Sequence, residues 1–176
     1  VSGAAQHDER KWTYGVRVIP DIVDRAKWRN TLTYRLHPRL SVGVEINPLA
    51  EDVRPLVNLL AVTETDTRPA IILGTSSDRI GTPEGQSFYV TISKNLKRET
   101  RLPVAPYFGV AWSTYEDRLL AIGGLNVYFT ERLSSLIIFD GVKVHPTLSY
   151  ALGSRHILSF LLAEGKKAGV SYSISF

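Results

Sequence analysis

The chain of 176 residues contains no cysteine and no methionine. Without cysteine it has no disulfide framework, no thiolate zinc site and no thiol nucleophile. Without methionine the expectation is a processed mature chain. Its polar residues 1–10 would then be the stub left by signal-peptide cleavage, or an expression scar. No apolar run reaches the roughly 18 residues of a membrane-crossing helix. That excludes helical spans only, because a membrane barrel hides its lipid face in alternation. The net charge is modest at +4, with 21 Lys and Arg against 17 Asp and Glu. No basic stripe is interleaved with aromatics, so nucleic acid is not an expected partner.

Chemical motifs are equally sparse. The four histidines, His7, His37, His145 and His156, stand at no metal-ligand spacing on one face, and no HExxH occurs. Residues 74–77 and 122–125 lack the glycine spacing of a phosphate-binding loop or a dinucleotide fold. No cofactor or metal is therefore expected. Gly123 and Gly124 fit better as relief of crowding within a strand.

What is present is alternation. Residues 168–176 place Val170, Tyr172, Ile174 and Phe176 on one face and Gly169, Ser171, Ser173 and Ser175 on the other. A period of two means a strand with two unlike faces. Lys11–Ile19 repeats the design, with Trp12, Tyr14, Val16 and Val18 opposite Lys11, Thr13, Gly15 and Arg17. Asn30–Leu36 and Leu40–Ile46 follow it too, setting Arg35 and Glu45 on their small or charged faces. Further segments run over 55–63, 69–76, 87–95, 104–114, 119–130, 134–139, 144–152 and 156–163. Several of these are apolar on both faces, which leaves their orientation open. Turn signals such as 66–68, 77–79, 116–118 and 164–167 separate them.

The expected fold is thus all-β: one antiparallel up-and-down barrel over residues 11–176, of twelve strands, with ten the alternative if two ambiguous segments are loops. A soluble barrel or sandwich competes with a transmembrane one, since either can use alternating strands. Three features favour the transmembrane barrel. Charges fall mostly in turns, and the segments at 104–114, 119–130, 156–163 and 168–176 carry none. Trp12, Trp28, Trp112, Tyr115 and Phe129 stand near strand ends, where an interfacial girdle would sit. No helix is available to cover a sheet.

The final strand, with Tyr172, Ile174 and Phe176 in alternation, resembles the closing strand of bacterial outer-membrane β-barrels. That resemblance implies the outer membrane of a diderm bacterium, contact with outer-membrane lipid and lipopolysaccharide, and delivery by the barrel-assembly machinery, which reads the terminal Phe. It also implies that Phe176 is periplasmic. The turns at 37–39, 65–68, 96–103, 131–133 and 153–155 would then be periplasmic. Those at 20–28, 47–54, 77–86, 114–118, 140–143 and 164–167 would face outside, as ordinary solvated loops or as acidic sites for divalent cations shared with lipopolysaccharide.

The inward face carries the functional expectation. Lys11, Arg17, Arg35, Glu45, Asn126, Tyr128 and His145 are candidate pore-lining residues. Opposed charges across a narrow lumen select small polar solutes; equally, they form a salt-bridged plug that only satisfies the interior. The polar loop 77–86, with Arg79 and Glu84, is a candidate constriction. The expected function is a small passive channel for polar solutes. The alternative is a structural barrel that anchors or surrounds a partner at its periplasmic rim. An enzyme is not expected. Outer-membrane lipases of twelve strands pair a His and a Ser two residues apart on one strand, and the nearest match, His145-Pro146-Thr147, lacks the serine.

Overall fold

The computed structural model describes residues 9–176, apart from the side chains of residues 98 and 99. Most of the candidate stub at 1–10 therefore lies outside the described residues. Twelve strands follow in chain order: β1 (Trp12–Val18), β2 (Trp28–His37), β3 (Leu40–Asn47), β4 (Asp52–Val62), β5 (Ala70–Ser77) and β6 (Gln86–Ser93). Then come β7 (Val104–Ser113), β8 (Arg118–Tyr128), β9 (Leu133–Phe139), β10 (Val144–Ala151), β11 (His156–Ala163) and β12 (Lys167–Ser175). Each pairs antiparallel with its neighbours in sequence, and β1 pairs with β12 to close the barrel. The expected count of twelve is what the chain forms. Short helical turns, α1 (Asp24–Lys27) and α2 (Lys97–Thr100), sit in connections.

Closure runs through the two ends of the sheet. The amide of Trp12 donates to the carbonyl of Phe176 at 2.9 Å, and the amide of Phe176 returns the bond to Trp12 at 2.9 Å. With an even number of strands, both termini lie at one end, here called the terminal end. The connections at 19–27, 48–51, 78–85, 114–117, 140–143 and 164–166 lie at the other, the loop end.

Register decides which side chains point in. Directly opposed residues share a face. Thr13, Gly15 and Arg17 oppose Ser175, Ser173 and Ser171, all on the inner face. Trp12, Tyr14 and Val18 point outward and are exposed, as are Leu32, Val44, Val53, Leu73, Val90, Phe108, Leu119, Leu148, Phe160 and Val170. Trp28, Phe88, Trp112 and Phe139 stand on this outer face near the loop end. Trp12 and Tyr34, with ring centroids 4.7 Å apart, stand near the terminal end. The apolar stripe of each strand is therefore outside, the inverse of a water-soluble barrel.

The buried apolar residues form two small clusters. Leu60, Ala70 and Ile72 pack with Tyr89 against the inner wall of β4–β6. Ile19, Ile22 and Ala26 pack with Leu161, Ala163, Val23 and Ile80 at the loop end.

Two ladders are incomplete. Pairing of β10 with β11 runs from Thr147–Leu161 to Ala151–Ile157 and stops before Pro146, which has no N–H to donate. Pairing of β4 with β5 begins at Val57–Thr75, beyond Pro55. Side chains bridge both gaps. His145 Nδ1 accepts the Glu164 amide at 3.0 Å, and Gln86 Nε2 donates to the Pro55 carbonyl at 3.0 Å.

Candidate functional site

The loop-end mouth is filled from two connections. The connection after β1 carries Ile19, Ile22 and Ala26, and it turns inward because these side chains find apolar partners in Leu161 and Ala163 of the inner wall, with Ile80 packed against them. Its α1 turn presents Arg25, only 3% exposed. Arg25 Nε donates to the Thr82 carbonyl at 2.9 Å. Its Nη2 donates to the carbonyls of Asp78 at 3.1 Å and Arg79 at 2.6 Å, and to Thr82 Oγ1 at 3.1 Å. One guanidinium thus satisfies three carbonyls of a loop that has no strand partner.

That loop, 78–85, crosses the mouth. It leaves β5, yet Ile80 packs with Leu161 and Ala163 of β11, and Gly81 lies close to Glu164 in the turn after β11. These elements are half the circumference apart. Asp78 pins its base: one carboxylate oxygen accepts from Ser113 Oγ at 2.5 Å and the Tyr115 amide at 3.2 Å, and the other from the Arg79 amide at 2.8 Å. Gly85 closes the loop at φ +108°, a conformation that favours glycine. Arg79 reaches Glu116 at 2.5 Å, and Arg118 pairs with the same carboxylate.

Beneath the plug lies a charged belt. Glu45, fully buried, sits 2.5 Å from Arg29 Nη2 and accepts from Asn47 Nδ2 at 3.0 Å. Arg25 approaches it to 3.9 Å. Arg54 Nε donates to Asp52 at 2.7 Å beside it. Burial pulls the Arg25 pKa down, while Glu45, Asp52 and Asp78 oppose that shift. Glu45 is therefore the single carboxylate on which Arg25 and Arg29 converge.

Next to this belt is a cavity of about 230 Å³, lined by Gly15, Arg17, Arg29, Thr31, Ile80, Ile138, His145, Thr147, Leu161, Ser171 and Ser173. A second, of about 150 Å³, lies under the loop 78–85 and is bounded by Ser76, Tyr89, Tyr107, Leu120 and Ile138 among others.

The residues singled out by sequence divide accordingly. Arg17 and His145 line the larger cavity. Glu45 lies in the charged belt. Arg35, Asn126 and Tyr128 face inward by register but lie toward the terminal end, and border neither cavity. Lys11 precedes β1 and is exposed at the terminal rim. Arg79 anchors the crossing loop, whereas Glu84 is exposed on it. Tyr172 points outward, where His156 Nδ1 meets its hydroxyl at 2.6 Å; Ile174 follows on the same face and Phe176 is exposed.

Loops 20–28 and 77–86 were expected to be ordinary solvated connections or, for the second, a constriction. The first is only partly solvated: Asp21 and Asp24 are exposed, but Ile22, Arg25 and Ala26 are buried, because the apolar side chains gain more from the barrel mouth than from water and Arg25 finds carbonyls there.

His145 is fully engaged. Its Nδ1 accepts the Glu164 amide, so Nε2 carries the proton and donates to Asp140 at 2.8 Å. No lone pair is left to accept a substrate proton. His156, on the outer face, belongs to a different surface.

Sequence reading missed Arg25, Arg29 and Asp78. Arg29 was within reach: starting the second strand at Trp28 puts it in phase with Thr31, Thr33 and Arg35. Arg25 and Asp78 had no signal, since only the tertiary approach of two loops makes them partners. No protein-family model matches this chain, and no curated protein is similar enough to count as a relative.

Proposed function

We propose that this barrel spans the outer membrane of a diderm bacterium and serves as a narrow, loop-gated passage for small polar solutes. Support for the membrane comes from the outer face. A continuous apolar surface with aromatics toward both ends far exceeds the few hundred Å² that soluble monomers tolerate. The observation that carries the passage is the polar, charged lumen beneath a loop held across the mouth by Arg25. A lumen built only to be filled would be closed by packing. Here cavities remain, and the closure is made by two connections, joined through the Arg25 hydrogen bonds and the packing of Ile80.

The test is conductance in planar bilayers. Wild-type protein gives rare or small openings, and Arg25→Ala gives frequent, larger ones. A sealed membrane at high protein load with both proteins removes the passage.

A second reading has one observation in its favour. Arg39, Arg68, Lys97, Arg101, Arg132 and Arg155 are all exposed at the terminal rim. This ring suits an acidic partner docked there, with the barrel as its anchor. Salt-sensitive copurification lost in a multiple Arg→Gln rim variant would support it.

A further inference from the structure

Arg17 and Arg29 stand directly opposite each other on β1 and β2. Like charges in direct cross-strand register repel. Glu45 answers Arg29 at 2.5 Å. Among the described residues Arg17 makes no ion pair: Glu45 acts on it only from beyond ion-pair distance, and its Nε is inaccessible and without a hydrogen-bond partner. The guanidinium lines the 230 Å³ cavity.

The surroundings of Arg17 are built for an acceptor. Ser171 is its register partner on β12, and Ser173 and Thr31 flank Gly15 in the next row. Gly15 has no side chain, and the Thr31 hydroxyl takes up the space beside it, donating to the Gly15 carbonyl at 3.4 Å. Among the described residues the side chains of Ser171, Ser173 and Thr147 make no hydrogen bond, so their hydroxyls are available as donors. A fork of N–H groups, several hydroxyls and a positive charge without an ion-pair partner suit a tetrahedral oxyanion.

We infer that this cavity is a binding site for a phosphate group, held chiefly by Arg17 with Arg29 and the serines of β12. The inference deepens the proposed function by naming the solute class, and it rests on the lumen being accessible to solutes. The phosphate has two sources. It arrives free along the lumen, or as a lipid headgroup entering beyond the Thr147–Leu161 rung, where the β10–β11 ladder stops at Pro146 and only the His145–Glu164 bond joins the strands.

The test is calorimetric titration of the full-length protein in neutral detergent, in chloride buffer. One arm uses inorganic phosphate and the other uses micelles doped with phosphatidic acid. Saturable binding in either arm, weakened at least tenfold in Arg17→Ala and partly kept in Arg17→Lys, supports the site. The responding arm identifies the source. Thermal unfolding gives an independent readout. Phosphate raises the wild-type Tm but not that of Arg17→Ala. Because Arg17→Ala also loses the packing of its stem, the readout is the phosphate-dependent change in Tm of each protein and not their difference without phosphate. The inference is overturned by no saturable binding in both arms, by unchanged binding in Arg17→Ala, or by an equal phosphate-dependent rise in Tm in that variant. Binding in detergent does not depend on conduction, so a silent bilayer with a positive titration removes the passage and leaves the site.

Discussion

The two ends of the barrel have connections of similar length but opposite character. At the terminal end the longest connection, 94–103, contains α2 and lies sideways against its neighbour. Lys94 Nζ donates to the carbonyls of Thr65 and Asp66, and the Asn95 amide donates to Glu64. None of the described residues in the connections of this end is buried. At the loop end, 19–27 and 78–85 turn inward and bury Ile19, Ile22, Arg25, Asp78 and Thr82. Loop length therefore does not decide whether a mouth closes. The inward loops set isoleucines against apolar partners and an arginine against carbonyls, leaving Asp21 and Asp24 outside, while 94–103 keeps Asn95, Lys97 and Arg101 exposed, where charge is cheaper to solvate.

The largest effect should come from breaking the closed end at its clasp. Arg25→Ala removes the donor to the Asp78 and Thr82 carbonyls, leaves the Arg79 carbonyl to Thr82 alone, and leaves Glu45 with less compensation. Loss of a buried, hydrogen-bonded charge costs roughly 3–5 kcal/mol. Heat-modifiable gel mobility should report a lower unfolding temperature, together with the increased conductance described above. An unchanged Tm would mean the loops are held by apolar contacts alone.

Glu45→Gln sharpens the same contrast with a smaller effect. The amide keeps shape but removes the charge that Arg29 and Arg25 share, a loss of about 2–3 kcal/mol for a charge-assisted bond. If stability rises instead, the belt is over-supplied with acid and the account of Arg17 fails with it.

A pH scan probes the loop end from another side. Burial pushes the Asp140 carboxyl up, but hydrogen bonds from His145 and from the Lys143 and Val142 amides outweigh it and hold its pKa below the ordinary aspartate value. Its contribution is therefore complete above the ordinary carboxylate pKa and disappears as pH falls through the lowered native value. Acid unfolding should be less steep in Asp140→Asn over that range. Identical acid profiles would show that the His145–Asp140 contact stabilises nothing.

The smallest effect belongs to the open end. Arg132→Ala, at an exposed rim position, should shift stability by no more than about 0.5 kcal/mol. A larger loss would show that the terminal end is ordered by its charges after all.

The strands were legible because each carries its own record. The alternation in 12–18, 40–47 and 167–175 names both faces without reference to any other residue. Arg17, Glu45 and His145 were legible as inward residues for the same reason. Arg25 was not, because a four-residue turn has no period, and its burial depends on a loop more than 50 residues away. Lys11 lies at the limit of that logic: it is exposed at the rim, one residue before the first rung at Trp12, with its carbonyl accepting from the Arg35 amide at 2.8 Å.

The bond between Thr13 and Ser175 spans 162 residues at 3.0 Å, and it belongs to the ladder that joins β1 to β12. No earlier pairing can substitute for it. Until that seam forms, the sheet has two raw edges, each a row of unmet amides and carbonyls able to recruit another chain. Closing it demands the most distant contact the fold contains, so it should be the slow step of assembly. A chain cut before β12 should therefore aggregate edge to edge rather than fold into a smaller barrel.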